Sequence, residues 1–207
     1  MKKYIVEFIG TFFLVLTIGM TVLDPSCGVA PLAIGAALMV MVFAGGHVSG
    51  AHYNPAVTIA VWLRGRCSTK DVPFYLIAQV LGATAAAFLA LLLKDHPNVT
   101  AMTPNVAHAV IAEFVGTFAL AYVVLNVATA KATAGNSFYG LAIGFTVMTM
   151  AFALGGISGG AFNPAVAVGI TIMGLAKTAN IWIYLVGNFA AAIVAALAFK
   201  AINPEDK

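Results

Sequence analysis

Two apolar runs in this chain open with the same four residues, and both are too short to cross a membrane. Asn54, Pro55, Ala56 and Val57 stand in "GHVSGAHYNPAVTIA" (46–60), and Asn163, Pro164, Ala165 and Val166 stand in "GGISGGAFNPAVAVG" (155–169). Each motif follows a Ser-Gly turn and opens an apolar stretch, over about 54–63 and 163–173. Asparagine suits a helix N-cap, and proline suits the first helical turn, where a missing N–H leaves no bond unmade. A bilayer span needs about 20 apolar residues, so each run is predicted to be a half-helix that enters the membrane and stops.

The remaining chain supplies full spans. Hydrophobic residues make up 62% of the sequence and charged residues only 8%. A soluble domain carries about 25% charged residues, so this chain cannot cover a water-facing surface and reads as an integral membrane protein. Spans are predicted over roughly 4–23, 31–49, 72–93, 107–128, 138–156 and 179–201, with breaks at "DPSCG", "RGRCSTKD", "KDHPNVTAMTPN" and "KATAGN". "MKKYIVEF" resembles the start of a signal peptide, but the apolar run continues to about Leu23 without a small-residue cleavage site, so it is taken as a retained helix. Six spans put both ends of the chain on one face. Lys2, Lys3, Arg64, Arg66, Lys70, Lys131, Lys200 and Lys207 share that face, and only Lys94 and Lys177 lie opposite. The bias predicts cytoplasmic termini.

The two halves repeat. "YIVEFIGTFFLVL" (4–16) matches "AVIAEFVGTFALAY" (109–122), which aligns Glu7 with Glu113, Gly10 with Gly116 and Thr11 with Thr117. "LAIG" begins 22 residues before each Asn-Pro-Ala, and "YLIAQ" (75–79) answers "YLVGN" (184–188). The expected organisation is one domain over 1–207, with repeat 1 at about 1–95 and repeat 2 at about 106–203. Three spans per half is an odd number, so the second copy is inverted and the half-helices enter from opposite faces. Interrupted helices in corresponding places of inverted repeats point to a transport pathway near the midplane. Each half-helix directs free N–H groups and roughly +0.5 of a charge at the centre. The stretches "SGAHY" and "SGGAF" are expected to be extended, with unpaired carbonyls that are tolerable at depth only along a watery path. Asn54 and Asn163 are expected to face each other there. Such a path suits a small neutral hydrogen-bonding molecule and opposes cations, protons included.

The two motifs, set in inverted repeats, resemble the aquaporin/glycerol-facilitator (major intrinsic protein) family over essentially the whole chain. The resemblance implies an all-α membrane protein with six transmembrane helices plus two re-entrant half-helices, a homotetramer with a pore in each subunit, and passive flow of water or small neutral solutes without a cofactor. It places the central constriction at Asn54, Pro55 and Ala56 and at Asn163, Pro164 and Ala165. The pore carbonyls fall at Gly50, Ala51 and His52 and at Gly159, Gly160 and Ala161. The family's outer filter falls on Ile34, Ala151, Gly160 and Val166. Water-selective relatives carry an aromatic, a histidine and an arginine at that filter, and this chain has Val166 in the arginine's place, as in the plant tonoplast subgroup. The filter is therefore expected to be wide and apolar, admitting glycerol, urea, ammonia or hydrogen peroxide. Ala167 stands where glycerol facilitators carry Asp, and Gly187–Asn188 replaces the usual Gly-Pro, so the subgroup markers divide between branches.

Other chemistry is weakly supported. Glu7 and Glu113 are ionisable groups within spans, and their matched placement predicts that they anchor the loop before each half-helix rather than relay protons. His47 is expected to border the inner vestibule as a wall residue, with pH gating as the alternative. Cys27 and Cys67 fall on opposite faces and lack metal spacing, so no metal site is expected. No nucleophile and base cluster, which argues against a membrane enzyme, and no basic-aromatic run suggests nucleic acid. An ammonia- or other solute-specific channel, or a structural or adhesive protein retaining the fold, remains the alternative. The segments "MKK" and "NPEDK" are expected to leave little room for a regulatory tail.

Overall fold

A computed structural model describes residues 1–24 and 26–206. Pro25, in the first predicted break, and Lys207, in the cation tally, lie outside the described residues. Eight α-helices occur among the described residues: α1 (Lys2–Val22), α2 (Ala30–Ser49), α3 (Pro55–Leu63), α4 (Val72–Leu93), α5 (Val106–Val124), α6 (Tyr139–Ser158), α7 (Pro164–Ile172) and α8 (Ile181–Ile202). Six are long and apolar enough to cross a membrane, α5 being extended to Thr129 by a π-helical turn. That turn has no signal in the sequence. The nine-residue helices α3 and α7 each cover about 13 Å, near half the thickness of a hydrocarbon core.

α1 packs on α4 and α2, and α5 packs on α8 and α6 in the same way. The halves are joined where α2 crosses α6 and where each half-helix leaves its own repeat, α3 packing on α8 and α7 on α4. Small residues make these approaches possible. Ala83, Ala86, Ala87 and Ala90 line the buried face of α4, and Ala191, Ala192, Ala195 and Ala196 do so on α8. In a membrane, where apolar burial supplies little drive between helices, such faces let backbones come close enough for dispersion and polar contacts. Gly35 and Gly144 lie against each other's backbone at the α2–α6 crossing. A Cβ at Gly10 would enter the ring of Tyr53, and one at Gly116 the ring of Phe162, so each glycine makes room for the residue before a motif asparagine. The outer faces carry exposed Phe74, Phe88, Phe145 and Phe152, as lipid-facing surfaces do.

The two half-helices are antiparallel. Their N-termini meet, α3 runs toward the end that holds Asp206, and α7 runs toward the loop that holds Met102, whose N–H donates to Leu175 O.

Candidate functional site

Asn54 and Asn163 cap their half-helices and cross-link the halves. The Asn54 Oδ1 accepts from the N–H groups of Ala56 (2.8 Å) and Val57 (3.3 Å), while its Nδ2 donates to Phe162 O (2.9 Å). Asn163 mirrors it, with Oδ1 accepting from Ala165 (2.9 Å) and Val166 (3.5 Å), and Nδ2 donating to Tyr53 O (2.8 Å). A carboxamide nitrogen has two N–H groups. One is therefore committed to the opposite half, and the second has no acceptor among the described residues.

The stretches before the motifs are not extended. Gly50, Ala51 and Tyr53 have φ of +85°, +51° and +49°, and Gly159, Gly160 and Phe162 have +94°, +63° and +47°. Left-handed backbone at Ala51, Tyr53 and Phe162 is unfavourable by about 1 kcal/mol or more each and persists only where the surroundings enforce it. At Tyr53 and Phe162 the enforcing groups are the two glutamates, whereas the N–H of Ala51 donates to Ser49 Oγ (3.0 Å). Glu7 is fully buried, and its carboxylate accepts from Ser49 Oγ (2.7 Å), His52 N (2.9 Å), Tyr53 N (2.7 Å) and Gln79 Nε2 (2.8 Å). Glu113, equally buried, accepts from Ser158 Oγ (2.7 Å), Ala161 N (2.9 Å), Phe162 N (2.7 Å) and Asn188 Nδ2 (2.9 Å). These backbone N–H groups are thereby drawn toward the glutamates, one pair in each half.

Several partners were not singled out in the sequence. Tyr75 and Tyr184 donate their hydroxyls to Ser49 O (2.7 Å) and Ser158 O (2.8 Å), pinning the C-termini of α2 and α6. The matching "YLIAQ" and "YLVGN" segments carried that signal, since they hold both tyrosines and both amides at equal spacing. Thr58 breaks the symmetry. Its hydroxyl donates to Asn54 O (3.0 Å), accepts from Gln79 Nε2 (3.0 Å) and contacts His52 Nδ1 (3.1 Å). With the hydroxyl proton already used, His52 must be the donor, so its Nδ1 carries the proton.

A cavity of about 480 Å³ reaches the two asparagines from the end opposite the chain termini. Ile34, Ala151, Gly160 and Val166 all line it, as do Ala51, His52 and Ala161. Thr100, from the loop between α4 and α5, also faces this cavity, and nothing in "NVTAMTPN" indicated that. A second cavity of about 780 Å³ opens at the terminus end beside His47, Gly50, Arg66 and Lys131. His52, Val124 and Ile143 line both. Two half-helices meeting N-terminus to N-terminus, with a cavity on either side of their junction, define a transmembrane channel.

The comparisons agree. The family described as "Major intrinsic protein" matches residues 1–199. "Aquaporin NIP1-4" of Oryza sativa subsp. japonica is 38% identical over 98% of this chain and 77% of its own length. "Aquaporin AqpM" of Methanothermobacter thermautotrophicus is 34% identical over 99% and 98%. The X-ray structure of the aquaglyceroporin from Plasmodium falciparum has the same fold, with a TM-score of 0.83 over 99% of this chain and 97% of that one at 24% identity. The chain belongs to the major intrinsic protein family. It is an integral multi-pass membrane protein and a passive channel, not an enzyme.

Proposed function

We propose that this channel conducts water together with small uncharged solutes such as glycerol, urea, ammonia or hydrogen peroxide. The observation that carries the reading is the lining of the outer cavity. Ile34, Ala151, Gly160 and Val166 bring neither a cation nor an aromatic ring to it, and Val166 is a buried residue of α7 where an arginine would project into the lumen. The central constriction is assigned to the two Asn-Pro-Ala motifs, with one amide N–H from Asn54 and one from Asn163 offered to the permeant. The peptide oxygens of Gly50, Ala51 and His52, and of Gly159, Gly160 and Ala161, accept hydrogen bonds along one wall, opposite apolar side chains such as Leu38 and Val147. Glu7 and Glu113 anchor the loops, and His47 serves as a vestibule wall residue. Opposition to cations rests on the two half-helix N-termini alone.

The unit is one channel domain of two repeats, 1–95 and 106–203. It assembles as a homotetramer in the cell membrane with both termini cytoplasmic, an orientation supported by the crowding of lysine and arginine at one end. Stopped-flow light scattering on proteoliposomes, with sorbitol, glycerol and urea as osmolytes, tests the proposal. Fast shrinkage followed by fast reswelling in glycerol or urea is expected. Shrinkage without reswelling would confine the channel to water. Ammonia uptake with little water flow would favour the solute-specific alternative, and no flux above bare lipid the structural one.

A further inference from the structure

Arg64 and Asp206 form the most buried ion pair among the described residues, and neither belongs to the lumen wall. Arg64 ends α3, and its side chain is 2% exposed. Its guanidinium lies over the ring of Phe199 on α8, 4.6 Å from the centroid, and its Nη2 donates to Asp206 Oδ1 at 2.6 Å. The same Nη2 reaches Thr129 O at 3.5 Å, the Nε is buried without a partner, and Asp206 is the one carboxylate paired with this cation among the described residues. The other oxygen of Asp206 accepts from the backbone N–H of Lys131 at 2.8 Å, and Arg66 Nη2 stands 3.6 Å from Oδ1. The Lys131 N–H first, and then the Arg64 guanidinium, hold the Asp206 carboxyl below the ordinary carboxylate range, so the contact persists at neutral pH.

Three elements therefore converge on one carboxylate. α3 carries Asn54 at its other end, α8 precedes Asp206, and the loop after α5 begins at Lys131. Arg66, Thr129, Lys131, Thr133 and Asn136 all line the inner cavity. We infer that Asp206 is a positioning residue for the inner mouth: its carboxylate ties the inner end of α3 to the loop beginning at Lys131 and so sets how wide the inner vestibule stands. Without it, Arg64 has no counter-charge beneath Phe199, and a cation in that position turns to water, which here means into the vestibule beside Arg66 and Lys131. The loop loses its first anchor at the same time. The effect on flow rests on the proposed channel reading, whereas the effect on the loop does not.

The test pairs a local readout with a flux readout. Trypsin cleavage after Lys131 is followed by mass spectrometry in proteoliposomes opened with mild detergent, with cleavage after Lys177, at the other end of the molecule, as reference. In Asp206→Ala, cleavage after Lys131 is expected to be about tenfold faster, because cleavage follows the population of the open loop. Lys177 should be unaffected, and Asp206→Glu should behave as the parent. Per-channel water permeability should fall roughly twofold, with the glycerol-to-water ratio unchanged, because the inner mouth is not the filter. Should Asp206→Ala not fold, Arg64→Met/Asp206→Ala removes the buried charge along with its partner and must still show the faster cleavage. Parental cleavage after Lys131 in either variant, or an altered solute ratio, overturns the inference. A parent protein without flux would defeat the channel reading and leave the cleavage comparison to decide the role of Asp206.

Discussion

The Asn163 amide nitrogen donates to Tyr53 O across the junction of the two repeats at 2.8 Å, and Asn54 returns the contact to Phe162 at 2.9 Å. Each motif asparagine is thus a helix cap and a clamp between halves at once. Losing the cap is worth about 1 kcal/mol, and losing the interhalf hydrogen bond costs about 1 kcal/mol more. Asn163→Ala is therefore expected to lower stability by about 2 kcal/mol, and Asn54→Ala to match it. Thermal unfolding in detergent checks the equivalence. A variant as stable as the parent would show that the two contacts contribute nothing net.

Val166 lies in the first turn of α7 and lines the outer cavity, as do Gly160 and Ile34. Val166→Arg places a guanidinium in a space of about 480 Å³. Glycerol permeability is expected to drop at least about tenfold, or about 1.4 kcal/mol of added barrier, with water reduced much less. The ratio of reswelling to shrinkage rates measures this. Equal loss of both fluxes would take Val166 out of the filter.

Each buried glutamate accepts four hydrogen bonds and meets only donors. In Glu7→Gln or Glu113→Gln, the new NH₂ faces N–H groups and leaves donors unsatisfied at about 1–3 kcal/mol each. Both variants are expected to lose stability similarly, despite lying in different repeats. The left-handed residues they enforce should relax at the same time, lowering water flux. Retained flux with a lowered melting point would separate the fold role of the glutamates from the geometry of the lumen.

At the end opposite the termini, Asp24 accepts from Ser26 and pairs with Lys94 at 3.0 Å. The Ser26 hydrogen bonds and then Lys94 lower the Asp24 pKa to about 2 from an ordinary 3.8. A depressed carboxyl pKa means stability that is full above the ordinary value and lost as pH falls through the folded one. The contribution of this pair should be constant from neutral pH to about 4 and vanish toward pH 2. Melting curves of the parent and of Lys94→Gln across that range check it. Their difference should shrink only below about pH 4, and a gap that persists in acid would exclude the carboxylate as its source.

Most of the architecture was legible in the sequence. Length and apolarity located the spans to within a few residues, because a bilayer demands about 20 apolar residues whatever their order. The half-helices followed from two prolines in runs too short to span. The pairing of Glu7 with Glu113, and of Gln79 with Asn188, followed from repetition, since matched residues in matched folds occupy matched places. The subgroup was less legible. Val166 resembles the tonoplast pattern, whereas Ala167 and Gly187–Asn188 do not point to one branch.

Other features existed only in three dimensions. The left-handed backbone at Tyr53 and Phe162 is imposed by carboxylates more than 40 residues away in sequence, against the local preference of those residues. The commitment of one amide N–H of each motif asparagine depends on the opposite half, as does the convergence of Arg64, Lys131 and Asp206. By itself the sequence determined that this chain crosses a membrane six times and breaks two further helices at its centre, because apolar length and proline act locally. The tertiary structure decided which polar groups pair with one another, because at membrane depth each N–H must find an acceptor, and only the packed halves determine which one is within reach.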